Sequence, residues 1–111
     1  MDQETITKGK NIAITSYILI VGVFIALSMN GDAKNKYASF HIRQSLGLSL
    51  TFLALSIIAP NFNSVNVELP LWIFIMVLWS YGFITAVKGQ AIAVPLLGKF
   101  FQKIFKDIQN Y

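Results

Sequence analysis

Tyr37, Phe40, His41, Arg43, Gln44 and Ser45 are the densest group of side chains in this sequence able to donate, accept or carry charge. Residues three and four apart share a helix face, so Tyr37, His41, Gln44, Ser45 and Leu48 line one side and Phe40, Arg43 and Gly47 the next. Arg supplies a planar, bidentate fork, and Gln supplies both donors and an acceptor. Such a cluster suits a lipid phosphate, a partner's carboxylate or a passing polypeptide. The same residues also suit plain anchoring, because Arg snorkels, Tyr prefers the membrane boundary, and His and Gln bond internally. Both readings stay open at this level. Catalysis fits poorly: His41 is the only histidine, and no carboxylate lies within helical reach to orient it as a base. With no cysteine, thiolate chemistry and the common zinc and iron–sulfur sites are absent too. No phosphate-binding loop is present, so the chain reads as non-enzymatic, with no catalytic, cofactor-binding or metal-binding residue.

The elements that must position this cluster are apolar. Three stretches, Ile12 to Met29, Leu46 to Ala59 and Leu71 to Val87, contain no charged residue, in a chain that is 55% hydrophobic and 13% charged. So much apolar surface exceeds what a 111-residue soluble core hides. The expected fold class is an all-α membrane protein: three transmembrane helices plus a C-terminal amphipathic interfacial helix, in a single domain. The expected order is a mobile polar segment (1–11), span one (12–29), an interfacial start running into span two (33–59), an outer loop bracketed by Pro60 and Pro70 (60–70), span three (71–88), and the amphipathic helix (95–110). A secretory signal with a cleavage site at Ala26-Leu27-Ser28 competes for the first stretch, but the run is long for a signal. The small pairs Gly22/Ala26, Ser45/Ser49 and Gly82/Ala86 permit close helix approach, within the chain or with a partner. Trp72 is placed as an interface anchor, with Trp79 and Tyr81 deeper in the bundle.

Three spans put the N-terminus and the 60–70 loop on one face, and the first loop and tail on the other. Seven Lys and Arg then fall on the second face against Lys8 and Lys10 on the first, which makes the second cytoplasmic and the N-terminus external. The expected location is the inner (cytoplasmic) membrane, multi-pass. In the tail, Leu97, Phe100, Phe101, Ile104, Phe105 and Ile108 recur on one helix face, with Lys99, Lys103 and Lys106 on the other. That pattern predicts a helix lying flat in the interface against anionic lipids of the bilayer. The basic residues flank apolar runs rather than forming a separate polar domain, so no nucleic-acid partner is expected.

The segment Phe40-His41-Ile42-Arg43-Gln44-Ser45-Leu46-Gly47-Leu48, followed after the third stretch by Pro95-Leu96-Leu97-Gly98, resembles a family of small bacterial membrane proteins. These are similar to the small multi-span import component of the Tic translocon in the chloroplast inner envelope. The pattern there is F-H-x-R-Q followed by a small residue, with P-L-[LI]-G at the tail; Phe40, His41, Arg43, Gln44, Pro95, Leu96, Leu97 and Gly98 match it. The chloroplast member has four membrane helices where this chain shows three and an interfacial one. The resemblance implies a link to protein transport. The expected function is a non-enzymatic accessory protein that binds a larger membrane assembly concerned with protein translocation or insertion. A homo-oligomeric pore or transporter, and a lipid-sensing or membrane-shaping protein acting through residues 97–111, remain the alternatives. A pore is disfavoured by the lack of ionisable residues within the spans.

Overall fold

The computed structural model describes all 111 residues and is all-helical, without a β-strand: α1 (Gln3–Ser16), α2 (Leu19–Ala33), α3 (Lys36–Ile58), a 3-10 turn (Ala59–Phe62), α4 (Val65–Val87) and α5 (Gly98–Ile104), joined by turns and irregular segments. Only α3 and α4 are long and apolar enough to cross a membrane, so there are two candidate spans rather than the three expected. They form an antiparallel pair that gives the molecule its 48 Å long axis.

The N-terminal segment departs from expectation first. Residues 3 to 11 are helical rather than loose, because Asp2 caps α1 by accepting the Thr5 N–H at 2.8 Å and Glu4 pairs with Lys8 at 2.7 Å. Hydrogen bonds from the Thr5 side chain and then its backbone hold the Asp2 carboxyl below its ordinary value. Further along, Gly9 sits directly against the Asn35 side chain, in space that a Cβ would fill.

The stretch 12–29 is not one span. The helix ends at Ser16, Leu19 adopts a left-handed φ of 56°, and α2 folds back along α1. The ends therefore meet: Asn35 Nδ2 donates to Thr5 O at 2.8 Å, and Asn30 beside it caps the 30–36 turn. Ile12, Ala26, Ala38 and Ile42 close the seam between α1, α2 and α3. The break has a polar cause. Tyr17 turns its ring inward, and its carbonyl accepts the Trp79 indole N–H at 2.9 Å, so the backbone group freed by the turn is partly satisfied. With 15 residues, α2 is about 22 Å long, short of a hydrocarbon core of roughly 30 Å.

The N-terminus and the first loop, expected on opposite faces, lie together in the fold. The start of α1, the end of α2, the start of α3 and the end of α4 share one end of the molecule, where Asn35 meets Thr5 and Tyr37 Oη donates to Ala86 O at 2.8 Å. Between Arg43 and Lys88 the only charged residue is Glu68, so all nine Lys and Arg belong to that proximal half or its tail.

Helix α3 matches its expectation. Asn35 Oδ1 accepts from Ala38 N, no Gly or Pro interrupts residues 34–44 on the way into the apolar half, and Pro60 ends the run. The distal loop is shorter than the prolines suggest, because α4 starts at Val65 and carries Pro70 in its second turn. There the missing N–H leaves Asn66 O without its helical donor, close to the distal chain reversal. The small pairs are spent within the chain: Gly22 meets the Thr15 carbonyl, Gly82 lies under the Tyr17 ring, and Ser45 and Ser49 are buried.

The expected helix over 95–110 is reduced to the seven residues of α5. Phe101 occupies the space that a side chain on Gly47 would need and is buried there, while Leu96 and Gln109 take left-handed φ values of 68° and 51° on either side. After Ile104 the chain continues in turns, and the carbonyls of Ile108 and Gln109 accept from Arg43.

Candidate functional site

The polar cluster on α3 points inward, and its hydrogen bonds form a single directed chain. Val94 N–H donates to Gln44 Oε1 at 2.8 Å, and Gln44 Nε2 donates to the Tyr17 hydroxyl at 2.8 Å. The hydroxyl contacts His41 Nδ1 at 2.6 Å, and His41 Nε2 contacts Gln90 O at 2.8 Å. A carbonyl can only accept, so Nε2 carries the ring proton and Nδ1 is the acceptor for the Tyr17 O–H. The Gln44 amide is oriented by the same logic, since only its oxygen can accept from Val94. Gln44 Nε2 has a second, longer contact to Ile92 O at 3.5 Å, and His41 uses both ring nitrogens. Tyr37, Phe40 and Tyr17 present ring edges or faces to the imidazole at centroid distances of 4.9, 5.2 and 5.5 Å.

This chain joins four parts of the molecule. Tyr17 brings the α1–α2 turn, His41 and Gln44 bring α3, Gln90 and Val94 bring the stretch after α4, and Trp79 ties α4 to the Tyr17 carbonyl. Tyr37 and Ser45 are buried, bonded to Ala86 O and Ile42 O. Within the protein, therefore, Tyr37, His41, Gln44 and Ser45 act as internal fastenings.

Arg43 is different. Nε donates to Ile108 O at 3.0 Å, Nη2 to Gln109 O at 3.2 Å and Nη1 to Gln102 Oε1 at 3.4 Å, so every partner is neutral. Phe40 is half-buried and its carbonyl accepts from Gln102 Nε2 at 2.8 Å. Gln109 completes the tail's attachment: its side chain donates to Leu27 O and accepts from Asn30 Nδ2, both at 2.9 Å.

The tail's apolar face divides in two. Phe101 is buried and Leu97, Phe105 and Ile108 are half-buried, whereas Phe100 and Ile104 remain about half exposed at 55% and 51%. Lys99, Lys103 and Lys106 are exposed, so a narrower apolar face than expected is left for a membrane surface.

The residues that sequence reading missed are Tyr17, Asn30, Asn35, Gln90, Gln102 and Gln109. Tyr17 was visible only as a hydroxyl in the middle of an apolar run. Asn30 and Asn35 looked like turn formers, and their spacing was the one hint that they bracket it by bonding each other.

Beside the α1–α2 turn lies an open apolar groove of about 760 Å³, lined by Leu19, Ile20 and Val21 of the hairpin, Phe52 of α3, and residues of α4 from Ile75 to Ile84 that include Met76, Trp79 and Phe83. It exists because the hairpin stops partway along α4. Ile18 precedes α2 without a side-chain cap, and the N–H groups of Ile20 and Val21 find no acceptor. Ile18 and Leu19 are 57% and 72% exposed at this tip. No protein-family model matches the chain, and neither a curated protein nor a solved structure matches it.

Proposed function

We propose that the protein is a non-enzymatic accessory subunit of the inner membrane, with α3 and α4 spanning and α1–α2 forming a re-entrant hairpin, and that it docks through the groove onto a transmembrane helix of a larger assembly. The observation that carries this is the pair of unpartnered N–H groups at Ile20 and Val21 beside an apolar wall. At hydrocarbon depth, lipid tails supply no acceptor, and each unsatisfied backbone group costs several kcal/mol. A helix bearing a hydroxyl or amide side chain supplies both the acceptor and the apolar cover. A soluble partner does not reach that depth.

The charge distribution supports the orientation. All nine cationic residues lie in the proximal half or its tail and none on the distal end, so both chain ends are cytoplasmic in this reading. A non-enzymatic role is supported by the commitment of both His41 ring nitrogens to structural bonds. The likeness of Phe40–Leu48 and Pro95–Gly98 to the Tic-like proteins is the reason to place the assembly in protein translocation or insertion.

The test is site-specific photo-crosslinking in intact membranes from Met76, in the groove, and from Ile57, exposed on the distal part of α3. The expected result is an adduct from Met76 alone, whose crosslinked peptide is a membrane-spanning segment. An adduct of twice the chain's mass would replace that partner with a second copy. Lipid adducts alone from both positions would overturn the docking role.

A further inference from the structure

A second cavity, of about 340 Å³, opens at the proximal end between the first turns of α3 and the tail, and its lining includes Lys36, Phe40, Arg43, Gln109 and Asn110. Lys36 and Arg43 are cationic and no Asp or Glu side chain lines the cavity, whose rim also takes in Met1 and Tyr111. The guanidinium of Arg43 has five N–H groups, of which three are engaged and two are free. No carboxylate reaches it, because the only ion pair in the molecule is Lys8–Glu4. Its charge is thus partly withdrawn from solvent and surrounded by neutral oxygens alone. Lys36, one helical heptad before Arg43 and on the same face of α3, is exposed and makes no side-chain hydrogen bond, so its ammonium is free to turn to the same cavity.

We infer that this cavity binds a phosphate oxyanion, held by the free edge of Arg43 and by Lys36, with the Phe40 ring against the organic part of the ligand. The fork of Arg matches two phosphate oxygens, and Lys adds a mobile point charge. The cavity sits where α3 passes from its polar to its apolar half, the level at which the phosphodiester of an anionic glycerolipid lies. A free phosphate monoester shares the same oxyanion chemistry. The site rests on the membrane placement proposed above but not on the groove. The groove crosslinks report on the partner and the measurement below reports on the anion, so the two fail separately.

The experiment compares protein in phosphatidylcholine nanodiscs, in nanodiscs doped with phosphatidylglycerol, and in phosphatidylcholine nanodiscs with glycerol 3-phosphate added. Native mass spectrometry reads ligand retained after release from the disc. Retention of one phosphatidylglycerol, with no glycerol 3-phosphate bound, assigns the lipid headgroup; equal retention of both assigns phosphate from either source. Arg43→Gln also loosens the tail, so Lys36→Ala, at an exposed and unbonded side chain, carries the test. It is expected to weaken retention about fivefold, the effect of one lysine near an anionic surface. Lys88→Ala, at the same end and outside the cavity, is expected to change nothing. Equal loss in Lys36→Ala and Lys88→Ala would mean diffuse surface charge and overturn the site, as would no loss in Lys36→Ala and Arg43→Gln together.

Discussion

Gln44→Met removes the middle of the directed hydrogen-bond chain at nearly constant volume, and the consequences differ at its two ends. The Tyr17 hydroxyl loses the Gln44 donor but keeps His41 Nδ1 as its own acceptor at 2.6 Å, so its loss is that of one side-chain bond, about 0.6 kcal/mol on average in membrane proteins. Val94 fares worse. Its residue is 3% exposed and its only acceptor is Gln44 Oε1, so the substitution leaves a buried N–H unpaired at about 1–3 kcal/mol. The total, about 2–4 kcal/mol, falls mainly on the non-helical stretch after α4 rather than on α3, whose backbone ladder is complete. Hydrogen exchange of the protein in nanodiscs, read at single-amide resolution, checks this. Val94 protection is expected to fall at least about tenfold, the equivalent of 1.4 kcal/mol, while the amides of Leu48 to Thr51 stay unchanged. Tyr17→Phe is the control, since it deletes the hydroxyl and leaves the Val94 bond intact. If Val94 exchanges equally fast in the parent, Gln44→Met and Tyr17→Phe, the amide bond to Gln44 does not exist as described and the directed chain fails with it.

Further outcomes follow from the same contacts. Gly47→Ala must expel Phe101, with a loss of about 1.5–3 kcal/mol of aromatic burial seen as a lower thermal midpoint in detergent; in the double variant with Phe101→Ala the second change should cost little. Asn30→Ala removes the group that bonds Asn35, Ser39 and Gln109, and is expected to destabilise by about 1–3 kcal/mol and speed proteolysis of the tail. Single cysteines at Lys10, Asp32 and Lys106 are expected to react with an impermeant reagent from one side of the membrane and a cysteine at Asn63 from the other; Lys10 reacting with Asn63 instead would restore a through-going first span.

How much of this was legible depended on whether the deciding signal was local. The course of α3 was readable because its cap, its uninterrupted length and Pro60 are contiguous in sequence. The inward-facing polar side of α3 was readable too, as a face, from the three and four spacing. Its partners were not, because Gln90, Val94 and Gln109 lie 49, 50 and 79 positions from the groups they meet on His41, Gln44 and Asn30. Nothing in residues 95–110 announces that Gly47 has left a seat for Phe101, and without that seat the periodic apolar face reads as a longer helix on lipid. The α1–α2 turn was hidden more thoroughly. No Gly or Pro marks it, the residue with positive φ is Leu19, and hydropathy alone favours a straight helix through 12–29.

That hidden turn is the point on which the fold and the proposed role both depend. Placing Leu19 in the left-handed region costs about 1–2 kcal/mol, and in the proposed membrane placement two backbone donors without acceptors cost several more. Against this stand the bond from Trp79 to the Tyr17 carbonyl, the two bonds of the Tyr17 hydroxyl, the seat of its ring on Gly82, and the burial of α1 on α3. Most of that gain passes through one side chain. Tyr17 is therefore the residue that converts a sequence with the hydropathy of a span into a hairpin that stops short. Because the hairpin stops short, one wall of α4 is left bare above the tip, beside the donors the turn has exposed. A straight first span would cover that wall and satisfy those donors, removing the groove and the reason for a partner. The unfavourable backbone at Leu19 to Val21 and the proposed docking surface thus have one origin, and the acceptor of the proposed partner would offset part of what the turn leaves unsatisfied.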